Sequence, residues 1–238
     1  MFSVYKRIIF ESDLVGLVEE PKPALQSIPE SFKQLNKVVD NRKICRTVKS
    51  CVPFLDALKF GYTIPFPIDY EVYYKDGNLN FDISTYISGS PIAERLGIES
   101  HSNNQVPENL RHNKRTVDVP LKFRNIWKIT TPPGYSCLFT QPLNRNAPFK
   151  IVDGVVDTDN YSMTIHFPFY WTGETDKTYT LEHGTPMVQV IPFKRNDWQM
   201  EIKNNPNVYP EELTERIRLS KRLIDIYKNV FWSKKRYK

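Results

Sequence analysis

Asp157 and Asp159 stand two residues apart in the run Gly154-Val155-Val156-Asp157-Thr158-Asp159-Asn160-Tyr161. A carboxylate on a turn of this kind can activate water for attack on a phosphoryl centre, and two neighbouring carboxylates can hold a divalent metal. The same residues, Asp157 to Asn160, also suit a turn stabilised by its own side chains. His166 and His183 are further candidates for a general base, but neither falls in a nucleophile or metal-ligand spacing. Tyr135, Tyr161, Tyr170 and Trp171 have flat faces that can stack on a base or sugar, or anchor a core or a subunit contact.

Cys45, Cys51 and Cys137 are odd in number and form no CxxC pair. No matching His/Cys pair lies near them, so they read as free thiols. The net charge is +6, and Lys234, Lys235, Arg236 and Lys238 place part of it at the end of the chain. There it interleaves with Phe231, Trp232 and Tyr237, a pattern suited to nucleic acid or an acidic protein surface as well as to a solvated helix end.

The elements that must position these residues are strands. The chain has 18 Pro against 9 Gly, and proline at that density breaks helices and marks strand ends. Tyr70 to Lys75 and Asn78 to Ile83 alternate around Asp76-Gly77, which predicts a tight hairpin with Leu79, Phe81 and Ile83 on its core face. Strands are predicted over Phe123–Thr130 and Ser136–Gln141, joined through a Pro132-Pro133-Gly134 turn with positive φ at the glycine. Ser162–Tyr170 alternates with Met163, Ile165, Phe167 and Phe169 on one face. Tyr179-Thr180-Leu181 and Met187–Phe193 flank a turn at Gly184. Short strands with such turns predict a sandwich, jelly roll or related barrel.

Around this β-rich core (51–205) lie an N-terminal arm (1–50) and a C-terminal basic helix and tail (206–238). The arm carries one short helix near Pro29–Leu35. Ser50, Pro53 and Gly61 bound another, and Pro91–Leu96 supplies one turn. The 89–118 stretch is long and polar, of the kind used in function or assembly. The last helix starts at Pro210 and sets Leu213, Ile217, Ile224, Tyr227 and Phe231 along one face.

No apolar run approaches the ~20 residues of a membrane span. The Lys6-Arg7 pair precedes only Ile8-Ile9-Phe10, too short for a secretory leader. The expected setting is therefore intracellular, without membrane contact.

Read together, Pro132 to Tyr135, Gly154-Val155-Val156-Asp157 with Tyr161, and Gly184 followed by Met187-Val188-Gln189-Val190 resemble the dUTP pyrophosphatase and dCTP deaminase superfamily. The resemblance implies a distorted jelly roll, or β-clip, assembled as a homotrimer. It also implies a catalytic role for Asp157, with Tyr161 and Gln189 contacting a nucleotide. The family's Arg-Ser phosphate clamp is replaced by Thr140-Gln141-Pro142-Leu143-Asn144-Arg145, and its glycine-rich C-terminal arm by the basic helix. Phosphoryl chemistry needs such electrostatic stabilisation.

The segments Cys51–Leu58 and Gly184–Phe193 are also similar to uncharacterised tailed-phage proteins. The expected function is then a non-catalytic oligomeric β-clip protein without cofactor, a phage structural or virion-associated component in the host cytoplasm or the virion. Its partners would be further copies, other phage structural proteins, or nucleic acid through Lys234, Lys235, Arg236 and Lys238. The alternative is a diverged nucleoside triphosphate pyrophosphatase, with Asp157 as base, Asp157 and Asp159 on Mg, and Tyr161 and Gln189 on the nucleotide.

Overall fold

The computed structural model describes residues 6–40, 44–75, 78–83, 90–101, 121–220 and 227–238. The Asp76-Gly77 turn, most of the 89–118 stretch and Ile224 lie outside these residues. Among the described residues the protein is mainly β, with 32% in strands against 21% in helices. The strand pairings among the described residues are antiparallel. No helix among those residues is long and apolar enough to cross a membrane.

In chain order, strands β1 (Ile9–Glu11) and β2 (Lys22–Pro23) precede helix α1 (Glu30–Gln34), strands β3 (Val38–Asp40) and β4 (Ile44–Arg46), and helix α2 (Val52–Leu58). Strands β5 (Tyr62–Pro65), β6 (Tyr70–Lys75) and β7 (Asn78–Ile83) lead to helix α3 (Pro91–Leu96) and strands β8 (Ile98–Ser100), β9 (Leu121–Phe123) and β10 (Lys128–Thr130). Then come β11 (Tyr135–Thr140), β12 (Phe149–Ile151), β13 (Gly154–Val156), β14 (Phe167–Trp171), β15 (Tyr179–Leu181) and β16 (Pro186–Lys194), before helix α4 (Val208–Ser220) and a π-helical turn at Tyr227–Phe231.

Two compact units result. The larger comprises residues 1–28, 58–195 and 237, and the smaller comprises 29–57, 196–236 and 238. Residues 6–28 thus belong with the larger unit. Phe10 pairs with Ile129 across β1 and β10, and Leu14 and Ala24 are buried.

The larger unit holds a five-stranded sheet ordered β13-β11-β16-β5-β2, a four-stranded sheet β12-β14-β9-β8 and a three-stranded sheet β15-β6-β7. Among the described residues none of them closes into a barrel. In β16 every residue from Met187 to Ile191 is buried. A run buried without interruption, apolar apart from Gln189, suits a central strand covered on both faces. Pro192 falls beyond the stretch that pairs with β5, where its missing N–H costs no ladder bond on that side.

Val188 and Val190 join Phe139 of β11 and the aromatic side chains of the four-stranded sheet in one core. Phe123 and Phe169 stack with centroids 3.7 Å apart, and Phe66 meets Phe123 and Phe149 edge to face. Each fully buried side chain of this size contributes about 1.5–3 kcal/mol. Gly61 sets the approach of β5 to β16. Its φ is +71°, and a Cβ there would lie 2.1 Å from the Val190 carbonyl oxygen.

Two predicted strands are shortened, each by a side chain that takes a backbone bond. The Phe123–Thr130 segment breaks into β9 and β10 because Asn125 folds onto its own chain. Its Oδ1 accepts from the Trp127 N–H (3.1 Å), and its Nδ2 donates to the Trp127 carbonyl (2.7 Å). The Ser162–Tyr170 segment becomes the strand Phe167–Trp171. His166 Nδ1 accepts the Asn125 N–H at 3.1 Å, a donor a longer ladder would have used, and Met163 is exposed. Phe167 and Phe169 are buried as the alternation predicts, while Ile165 packs against the core only in part.

The β6–β7 register, Lys75 opposite Asn78, matches a two-residue connection, and Leu79, Phe81 and Ile83 pack against the core. Ser90 caps α3 by accepting from the Ala93 N–H. In the smaller unit the Phe32 and Phe54 rings stack 5.7 Å apart. Of the predicted apolar face of the C-terminal helix, Leu213 and Ile217 lie in α4 and Tyr227 and Phe231 in the π-helical turn, and all four are exposed.

Candidate functional site

Asp157 and Asp159 follow β13, beside the turn that enters β11. That turn forms as predicted, with Gly134 at φ +82° and the Tyr135 N–H donating to the Pro132 carbonyl at 3.2 Å. The Asp157–Tyr161 segment closes on itself, since the N–H groups of Asn160 and Tyr161 both donate to the Asp157 carbonyl at 3.0 Å. Thr158 is buried, and its hydroxyl lies 2.7 Å from that of Thr131. Local turn chemistry and one buried threonine therefore hold both aspartates in place.

Arg195, one residue past β16, lies against both carboxylates. Its Nη1 donates to Asp159 Oδ1 at 2.9 Å and its Nη2 to Oδ2 at 2.5 Å, a two-pronged pair. Nη1 is also 3.2 Å from Asp157 Oδ1, and the Gly134 N–H donates to Asp159 Oδ2 at 2.8 Å. The Asp159 side chain is only 5% exposed. Hydrogen bonding from Arg195 is the main reason its carboxyl is lowered to about 2. Partial burial opposes this, and the Gly134 N–H reinforces it. A guanidinium thus occupies the place between the carboxylates where a divalent ion would sit. Among the described residues no three of His, Cys, Asp and Glu converge to hold a metal.

Asp157 is different. Its side chain is 62% exposed, and it accepts from the Ser136 hydroxyl at 2.6 Å. Tyr161 is partly exposed nearby in sequence, while Gln189 belongs elsewhere. Asp157 bonds to Ser136, whereas Gln189 pairs with Thr140, four residues further along β11. At 3.3 Å per residue this separates the two positions by roughly 13 Å. Gln189 is 0% exposed; its Oε1 accepts from the Leu143 N–H (2.8 Å) and its Nε2 donates to the Phe60 carbonyl (2.6 Å). Its amide braces the main chain.

His166, half-buried, accepts at Nδ1 and so carries its proton on Nε2. Burial lowers its pKa, and the charges of Lys122 and Arg124 act the same way against Glu99. His183 is exposed, with its pKa raised by hydrogen bonding to Asp69, 3.0 Å away. Of the stacking candidates, Tyr170 and Trp171 are core residues, and the Tyr135 ring is covered by the Lys6 ammonium at 4.3 Å. Cys137 is a buried free thiol that burial pushes up to about 11, and Cys51 is an exposed one.

In the smaller unit the basic cluster is not uniformly available. Lys235 Nζ lies 2.7 Å from Asp56 Oδ2, which also accepts from Trp232 Nε1 at 2.8 Å. Lys234, Lys235, Arg236 and Lys238 are all exposed.

A second surface was not read from the sequence. Residues 196–204 carry no helix or strand, and among the described residues their backbone forms no hydrogen bond. Trp198, Met200 and Ile202 are 89%, 83% and 85% exposed. Nothing in their own unit covers them. The period-2 pattern Trp198-Gln199-Met200-Glu201-Ile202-Lys203 was the available signal. Arg195 gave no local signal, because its partners lie 36 and 38 positions earlier in the chain, at Asp159 and Asp157.

Comparisons with protein-family models, with curated proteins and with solved structures each return no match.

The Asp159–Arg195 pair makes stability depend on acid. A carboxyl whose folded pKa lies near 2, below the ordinary 3.8, stabilises the fold fully above about pH 4 and progressively less as pH falls toward 2. The thermal-midpoint gap between wild type and Asp159→Asn is expected to narrow over that window in a pH series. A constant gap would contradict the assignment.

Proposed function

We propose that this chain is a non-catalytic, homo-oligomeric β-clip protein that serves a phage as a structural or virion-associated component. The observation that carries the oligomeric part is the 196–204 segment. It combines a backbone outside any helix or strand, without hydrogen bonds among the described residues, with three large apolar side chains that its own unit leaves in water. Exposed apolar patches of this kind mark association surfaces, and an unpaired extended backbone can add to a neighbour's sheet edge. A second copy of the chain is the natural partner, and the β-clip likeness implies a trimer.

The non-catalytic part is supported by Asp159, whose carboxylate is paired with Arg195, and by Gln189, whose amide is buried in main-chain contacts. The phage setting rests on the likeness of Cys51–Leu58 and Gly184–Phe193 to tailed-phage proteins. Lys234, Arg236 and Lys238 would then face an acidic partner such as nucleic acid or a capsid surface.

One observation favours the pyrophosphatase reading: Asp157 is exposed beside Ser136 and Arg195, open to a substrate. A single preparation separates the two. Light scattering should return a multiple of the 28.0 kDa chain mass, about threefold, while deoxynucleoside triphosphates with Mg release no pyrophosphate. A monomer at high concentration would overturn the assembly role. Pyrophosphate release lost in Asp157→Asn would establish the enzyme.

A further inference from the structure

In the larger unit, a cavity of about 250 Å³ opens between the segments around Gln141–Phe149 and Thr180–Pro186. Phe66, Phe149, Pro142 and Pro186 give it apolar walls, and Arg145 and Glu182 bring charge to its lining. The Arg145 side chain is half-buried. Its Nε and Nη2 are enclosed and hydrogen-bond to nothing, and no carboxylate among the described residues pairs with it. Burial lowers its pKa to about 10, so at neutral pH the group remains a cation.

Enclosed guanidinium nitrogens without acceptors are costly to a fold, and a half-buried arginine that keeps two of them beside a cavity is suited to receive an anion. The two unpartnered nitrogens form one edge of the guanidinium, whose parallel N–H groups match the two oxygens of a carboxylate. A single cation, with Glu182 in the same lining, suits a singly charged anion better than a phosphate dianion. The apolar walls suit a body without further charge, and prolines at the rim add rigid backbone without N–H donors.

We propose that this cavity binds a small monocarboxylate with an apolar body, held by Arg145. The site is independent of the assembly role above. Binding requires the enclosed Nε–Nη2 edge of Arg145 to turn into the cavity, where the ligand carboxylate supplies the acceptors it lacks.

Benzoate is the probe, with benzyl alcohol as the neutral analogue and inorganic phosphate as the competing anion. Amide chemical shifts of the full chain are followed in titrations of wild type, Arg145→Met and Arg145→Lys. Benzoate should give saturable shifts centred on residues 141–149 and 180–186. Binding should weaken about tenfold or more in Arg145→Met, and benzyl alcohol should bind wild type about tenfold more weakly than benzoate. Arg145→Met removes an unneutralised cation and should keep the wild-type thermal midpoint. Should it fail to fold, Arg145→Lys, which keeps the charge and loses the fork, should still show weakened binding. No saturable shifts with benzoate, equal affinity in the variants, or tighter binding of phosphate than of benzoate would each overturn the assignment.

Discussion

Gln189→Leu is expected to destabilise the fold by about 3 kcal/mol and to lower the thermal midpoint by about 10 °C. Leucine fills a similar volume, so packing changes little. What changes is polar satisfaction: the Leu143 N–H and the Phe60 carbonyl both lose their side-chain partner inside the protein. Each group left unsatisfied costs about 1–3 kcal/mol, and the added apolar contact offsets a small part. A nucleotide-contacting Gln189 would behave otherwise, with the midpoint retained and ligand affinity lost. Thermal unfolding of the purified variant separates the two, and an unchanged midpoint would contradict the bracing role.

The parts of the fold legible in the sequence depend on neighbours in the chain. The Tyr70–Ile83 hairpin, the Gly134 turn, the Ser90-capped helix and the buried Met187–Ile191 run each rest on local alternation, turn chemistry or capping. The parts that were not legible depend on distant residues. Asn125 ends a strand by bonding to Trp127 and His166, although the flanking residues read as one continuous strand. The pairing of Asp157 and Asp159 with Arg195 was equally hidden, because Arg195 lies far from both in sequence.

The same holds for the proposed assembly surface. The alternation at Trp198, Met200 and Ile202 is a strand pattern in a segment that forms no strand, so its apolar side finds no cover within its own unit. The pattern becomes intelligible once a second chain supplies the missing face. An extended segment adding to another chain's edge gains main-chain hydrogen bonds, while its alternate side chains enter apolar contacts.

Simultaneous replacement of Trp198, Met200 and Ile202 by serine is accordingly expected to dissociate the assembly. Burying each of these side chains is worth about 1.5–3 kcal/mol. Partial burial at an interface leaves a combined loss of about 4 kcal/mol, close to a thousandfold in the dissociation constant. The larger unit contains none of the three residues and should keep its thermal midpoint.

Backbone hydrogen exchange across residues 196–204, followed in wild type and the triple variant at high and low protein concentration, tests the assembly claim most directly. Wild-type amides in this segment are expected to be protected when the protein is concentrated, to lose that protection on dilution, and to exchange freely in the triple variant at either concentration. Free exchange in concentrated wild type would contradict the assembly claim.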